Sequence, residues 1–240
     1  MSKHFFDFEF YFLLFQKRVI FMSTNDNKAV LRGELALVLV VVINSLGVLL
    51  MLHSGSGISA ISSVPYAFNL VLPKLSLGTW TYIFQGLLIC ALMLMRRKFV
   101  PAYLFSFVVG FAFGEMMDVH ELWINQLPLN IPLRIFYFVL SYLILCFGIA
   151  LSNRCKLPII PTDLFPRELM DITKQPYSRV KISYDVTCLA ITACMTFFFL
   201  GHISGLGIGT VLAAFTMGKG VALVGEQIDK KASFVSFLEH

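Results

Sequence analysis

Six long apolar runs separated by short polar segments set the pattern of this chain, at 35–52, 78–95, 101–117, 135–151, 182–201 and 203–224. Each approaches the roughly 20 residues that an α-helix needs to cross a hydrocarbon core of about 30 Å, so the pattern predicts six membrane-spanning helices. Pro101 falls in the first turn of the third, where a missing amide donor costs little. Two stretches break the rhythm. HSGSGISAISSVPYAFNLVLP, 53–73, follows the first run, and SNRCKLPIIPTDLFPRELMDIT, 152–173, follows the fourth. In each, a residue with helix-capping chemistry stands three before a proline: Ser62 before Pro65, and Asp163 before Pro166. The expected form is an extended arm, 53–61 or 154–162, followed by a short helix capped by Ser62 or Asp163. An amphipathic helix lying on the membrane surface is the alternative, supported in the second stretch by Arg167, Glu168, Asp171 and Lys174.

A slide of 101 residues lays Gly47 on Gly148, Ile58 on Ile159, Ser62 on Asp163, Pro65 on Pro166 and Leu88 on Leu189 without a gap. Identity over that window is close to chance, so organisation carries the repeat. Three spans per half is an odd number, which turns the second half upside down. The expected fold is therefore all-α and polytopic, with six transmembrane helices as a 3+3 inverted repeat and two short broken or re-entrant segments. Its expected divisions are an N-terminal aromatic-rich segment (1–30), a first repeat (31–118), an outer loop (119–131), a second repeat (132–225) and a tail (226–240).

Composition agrees with a membrane protein. Of 240 residues, 58% are apolar, and the mean hydropathy of +0.79 excludes an ordinary soluble domain. The net charge of +5 comes from short Lys and Arg clusters between apolar runs, so a nucleic-acid partner is not expected. With both termini in the cytoplasm, Lys17, Arg18, Lys28, Arg32, Arg96, Arg97, Lys98, Arg154, Lys156, Arg167, Lys174, Arg179, Lys181, Lys230 and Lys231 all fall inside, and Lys74 is left outside with Arg134 at a boundary. That bias also requires that neither broken stretch crosses the membrane. The first 21 residues crowd Phe5, Phe6, Phe8, Phe10, Tyr11, Phe12 and Phe15 ahead of Lys17 and Arg18. They read as an interfacial anchor or as sequence ahead of a start at Met22.

Candidate chemistry lies in the broken segments and in ionisable groups within the runs. Helix N-termini brought to the midplane would offer free amide donors and a positive dipole end, which suits an anionic solute. Substrate-binding residues expected on this plan are Ser62, Asn69, Asp163 and Glu168. Asp185, Glu115, Asp118 and Lys219 are expected to serve coupling or gating, since an ionisable side chain inside a membrane is a functional candidate by default. For Asp185 the competing expectation is an interfacial carboxylate paired with a nearby lysine or arginine. Asn44, at mid-membrane, is expected to bond a neighbouring helix. Five cysteines show no Cys-x-x-Cys spacing, Gly205–Gly207–Gly209 follows no strand, and neither His-Glu-x-x-His nor Gly-x-Ser-x-Gly occurs. No cofactor, metal centre or enzymatic activity is expected.

The runs VKISYDVTCLAITACMTFFFLGHISGLGIGTVLAAFTMGK, IIPTDLF and FGEMMDVHELW resemble the YczE/YyaS/YitT family of bacterial membrane proteins over about residues 35–225. The resemblance implies family acidic positions at Asp163, Asp118 and Asp185, and a Gly-Thr at Gly209 and Thr210 opening the sixth span. This chain has Pro161-Thr162-Asp163 where that family carries Pro-Gly-Glu. The implied location is the bacterial cytoplasmic membrane and the implied role is transport or export. The function expected is thus secondary transport of a small solute at the repeat interface. The alternatives are a substrate-binding membrane subunit working with an energising partner, or a scaffold without transport. Expected partners are the lipid bilayer and the solute, and a homodimer is compatible with the plan.

Overall fold

The computed structural model describes residues 29–236, and the aromatic N-terminal segment lies outside them. Eight helices follow in order: α1 (Gly33–His53), α2 (Ala60–Val71), α3 (Leu77–Arg96), α4 (Pro101–Ile124), α5 (Ile131–Ser152), α6 (Pro161–Thr173), α7 (Tyr177–Leu200) and α8 (Ile208–Lys231). Six of them are long and apolar enough to cross a membrane, and α2 and α6 are the short ones. Two four-residue strands, β1 (Ala29–Arg32) and β2 (Ala232–Val235), pair in parallel and are the departure from an all-helical chain.

Several helices outrun the apolar runs that announce them. α4 continues to Ile124, α7 begins at Tyr177 and α8 runs from Ile208 to Lys231. Hydropathy marks the hydrocarbon-facing middle of a span, whereas the polar first and last turns are equally helical. One consequence is that Asp185 lies more than two turns inside α7, deeper than a run beginning at 182 suggests. Caps follow local chemistry: Ser76 accepts from the Thr79 amide at the start of α3, and Asn130 from the Leu133 amide at the start of α5.

The bundle has an apolar core that also holds most of its buried polar side chains, and its outside is apolar. Asn44, Thr81, Gln85, Ser106, Ser141, Asp185, Thr192, Thr196 and Thr210 are buried, while Leu35, Leu87, Leu94, Val108, Ile135, Phe198, Phe199 and Leu223 are exposed. That distribution suits a lipid solvent, which removes the penalty on outward apolar side chains and leaves the interior to hydrogen bonds and close packing. Ser63 and Thr192 join α2 to α7 through their hydroxyls at 2.8 Å, and Tyr142 donates to Thr216 at 2.9 Å between α5 and α8.

The packing maps onto itself when the halves are exchanged. Replacing α1 by α5, α2 by α6, α3 by α7 and α4 by α8 turns α2·α7 into α6·α3, α3·α4 into α7·α8, α1·α4 into α5·α8, α2·α3 into α6·α7 and α4·α6 into α8·α2, and all these pairs are packed. α1 and α5, which exchange with each other, are packed together. A Cβ on Gly47 would strike Leu145, and one on Gly148 would strike Asn44. Gly47 and Gly148 differ by 101 in number, as do Asn44 and Leu145, so each glycine makes room for the counterpart of the residue its partner accommodates.

Candidate functional site

α2 and α6 are half-helices that start at the centre of the bundle. Their N-caps are Ser59 and Ile160, with neither side chain bonding an end amide. This corrects the expectation that Ser62 and Asp163 cap them. Pro161 at the first helical position of α6 starts that helix early, and α2 begins at the matching residue, Ala60. Ser62 and Asp163 therefore occupy the third helical position of the first turn, where their side chains remain at the positive helix ends. The Ser62 amide bonds the Ser59 carbonyl at 3.0 Å, and the Asp163 amide bonds the Ile160 carbonyl at 2.9 Å.

Pro65 and Pro166 consequently lie inside the helices. A proline removes the amide that would bond the carbonyl four residues earlier. Those carbonyls belong to Ile61 and Thr162.

Both half-helix N-termini line one buried cavity of about 30 Å3. By volume it has room for a small ion or for about one to two waters. Its wall is paired at the offset of 101: Asn44 with Leu145, Val48 with Ile149, Ser59 with Ile160, Ile61 with Thr162, and Ser62 with Asp163. Lys181 and Asp185 of α7 complete its polar side, and Phe113, Ala213 and Met217 its apolar side. The symmetry is geometric and not chemical. The first half supplies an amide and two hydroxyls where the second supplies Leu145, Ile160 and a carboxylate.

Within this wall, Lys181 Nζ donates to both oxygens of Asp185, at 2.5 and 2.6 Å, one helical turn along α7. Lys181 is 2% exposed and Asp185 1%. A pair at that depth persists only because each charge answers the other, which makes it deeper than the interfacial pair the sequence suggests. Asp163, 5% exposed, forms no ion pair among the described residues; Asn44 Nδ2 donates to its Oδ2 at 3.4 Å. Ser59 donates to the Ser62 hydroxyl at 2.9 Å.

The other expected residues stand elsewhere. Asn69 donates to the Leu75 carbonyl at 2.9 Å, closing the turn between α2 and α3. Glu168 receives Arg96 Nη2 at 2.5 Å and the Tyr103 hydroxyl, tying α6 to α3 and α4 at the far end of the half-helix. Asp118 accepts from the Gly78 amide at 2.9 Å and from the Ser76 hydroxyl at 2.6 Å, fastening the start of α3. Glu115 and Lys219 are exposed. None of these five lines the cavity. The structure thus brings together Ser62, Asp163 and Asp185, and adds Lys181 and Asn44. The spacing of Lys181 and Asp185, four apart at the edge of an apolar run, is the signal that could have found the lysine.

Residues 31–226 match a family described as a family of unknown function (DUF6198). The chain belongs to that family. The match takes in all eight helices except the last turns of α8, and with them the whole cavity wall. No curated protein and no solved structure matches the chain.

Proposed function

We propose that this protein is a secondary transporter of a small solute in the bacterial cytoplasmic membrane, with its site at the cavity between α2 and α6. The observation that carries this reading is the cavity wall itself, where two half-helix N-termini and matched positions from both halves meet beside ionisable side chains. Paired broken helices at corresponding places in two halves are the hallmark of midplane transporter sites. In this reading the halves are inverted repeats, since each contains three spans. Alternating access is then a rocking of one half against the other about the α1–α5 contact. Both termini belong on the cytoplasmic side, where Arg32, Arg96, Arg97, Lys98, Arg154, Lys230 and Lys231 gather at one end of the bundle. The resemblance to the YczE/YyaS/YitT family supports the same role.

The half-helices also narrow the solute. The positive end of α6 is already answered by Asp163, while Asp185 and Lys181 answer each other. The site is therefore less suited to an anion than two bare helix ends would be.

The test is uptake into proteoliposomes of solutes that co-purify with the protein, identified by native mass spectrometry. Wild-type protein is expected to concentrate or exchange the solute, and Asp163→Asn to lose at least tenfold in rate with normal expression and a single gel-filtration peak. Wild-type rates in that variant would sink the assignment.

A further inference from the structure

The cavity wall carries two carboxyl groups and one lysine. Lys181 is engaged by both oxygens of Asp185, and Asp163 has an asparagine amide at 3.4 Å and no ion pair among the described residues. With both acids charged, the wall would hold one net negative charge. Around it Val48, Phe113, Leu145, Ile149, Ala213 and Met217 supply hydrocarbon and no ligand oxygens. A metal ion, which needs several oxygens, finds no shell here. A proton needs one oxygen, and it removes the charge altogether.

Opposing influences act on Asp163. Burial favours the neutral acid. The positive end of α6 favours the carboxylate, as do Lys181 on α7 and Arg167 on the next turn of α6. Asp185, Tyr177 and Tyr184 of α7 and Cys155 of the arm are the other titratable groups that face it. α1 presents the neutral Asn44, and α3 and α4 bring Arg96 and Tyr103 to Glu168 at the far end of α6. A carboxyl pulled both ways changes state under a modest push, as a coupling group must.

A path for the proton is a separate observation. Ser152 Oγ, at the end of α5, stands beside the Asp163 carboxyl, and the Tyr177 hydroxyl, at the start of α7, faces Asp163 and Asn153. The Ser152 hydroxyl, Asn153 Oδ1 and the Tyr177 hydroxyl are all buried without a hydrogen-bond partner. Buried polar atoms are normally paired, so three together mark a polar seam beside the acid. Hydroxyls both donate and accept, which is what handing on a proton requires. The seam lies at the ends of α5 and α7 that the transport reading places on the cytoplasmic side. At the offset of 101 the first half has Met51 and Leu52 in place of Ser152 and Asn153, and Ser62 in place of Asp163. Acid and seam therefore belong to one half only.

We propose that the coupling ion of this protein is the proton, taken up and released by Asp163 once per cycle and exchanged with the cytoplasm along Ser152, Asn153 and Tyr177. Uptake forms an O–H bond on one carboxylate oxygen at the expense of a hydronium ion, which leaves as water, and release reverses the step. The proton site stands on the geometry, and its coupling role rests on the transport reading above.

The experiment has two arms. In the first, the purified full chain in detergent is titrated from about pH 5 to about pH 9, above the range of an exposed aspartate, while infrared difference spectra follow the C=O stretch of protonated carboxylic acids. A band that fades as pH rises is expected in wild type and in Asp163→Glu, and is expected to be lost in Asp163→Asn. Asp163→Ser, which copies Ser62, replaces Asp163→Asn should the latter fail to fold. Ser152→Ala combined with Tyr177→Phe is expected to keep the band and slow its return after a downward pH jump. In the second arm, proteoliposomes take up the co-purified solutes of the uptake test with the membrane potential clamped at zero. An imposed gradient of about one pH unit is expected to change the steady-state solute ratio about tenfold, as one proton per solute requires. No titrating band in wild type, or the same band in Asp163→Asn, would overturn the proton site, and an unslowed return in the double variant would overturn the path. A titrating Asp163 band without solute uptake removes the transport reading and keeps the site. Uptake indifferent to the pH gradient keeps the transport reading and removes proton coupling.

Discussion

Lys181 and Asp185 are the costliest residues in the bundle to separate. They face each other with almost no solvent, so removing one strands the other. Lys181→Met is expected to destabilise by about 3–5 kcal/mol, the usual cost of leaving a buried charge unpaired. Lys181→Met combined with Asp185→Leu is expected to recover most of that loss, because an apolar pair of similar volume restores a neutral wall. Calorimetric unfolding of the two variants and of Asp185→Leu alone checks this, and a double variant no more stable than the singles would show that the pair is not coupled. A second residue-scale prediction concerns Gly148. A Cβ there collides with the end of the Asn44 carboxamide, which can yield only by giving up its contact with Asp163. Gly148→Ala is expected to cost about 1–3 kcal/mol and to be partly rescued by Asn44→Ala, read as a shift in Tm. Asn44 illustrates what single residues conceal in a sequence. A lone asparagine in an apolar run reads as glue between helices, and it does contact another helix element. Only the fold reveals that the contact is Asp163 and that its amide oxygen is left over.

At the scale of elements, α2 and α6 do different mechanical work despite matching positions. The far end of α6 is held by Glu168 to Arg96 of α3 and Tyr103 of α4. The far end of α2 is held by Asn69, by the Trp80 indole donating to the Leu72 carbonyl at 3.1 Å, and by stacking of Phe68 on Trp80. One anchor is ionic and the other is neutral, so salt should act on one half only. Glu168→Gln is expected to lower stability by about 1–2 kcal/mol at low ionic strength and by less in high salt, since Arg96 is about a third exposed. Asn69→Ala is expected to show no such salt dependence, and chemical denaturation at two ionic strengths separates them. The existence of both half-helices was legible from the Ser-x-x-Pro and Asp-x-x-Pro patterns, but their starts were not. A polar residue three before a proline resembles a cap, whereas the chain uses Pro161 to start the helix and places the second proline inside. Glu168 and Asp118 were legible as charged positions near membrane runs. Their roles as struts were not, because Arg96, Tyr103, Ser76 and Gly78 reach them only through tertiary packing.

For the whole molecule, the decisive property is direction. Six spans with an apolar outer surface follow from the hydropathy pattern, because a span's length and composition are set by the bilayer itself. The pairing of halves is harder to read, since identity at the offset of 101 is near chance and only geometry is preserved. In the bundle, Leu129 lies in the link between α4 and α5, and Ile172 lies in the last turn of α6. In the transport reading α5 leads from the first of these positions to Ser152, and α6 re-enters so that its C-terminal end returns to the side of Ser152. Re-entry thus places the two residues at opposite ends, whereas a crossing by 153–173 would put them at the same end and would also carry Arg179 to the face of Lys74. Both side chains are exposed, at 48% and 40%. Leu129→Cys and Ile172→Cys, each introduced singly after replacement of the five native cysteines, are expected to react with a membrane-impermeant maleimide from opposite sides, Leu129→Cys in intact cells and Ile172→Cys only in inverted vesicles. Labelling of both from one side would remove the inverted repeat and, with it, the argument that the cavity is a site of alternating access.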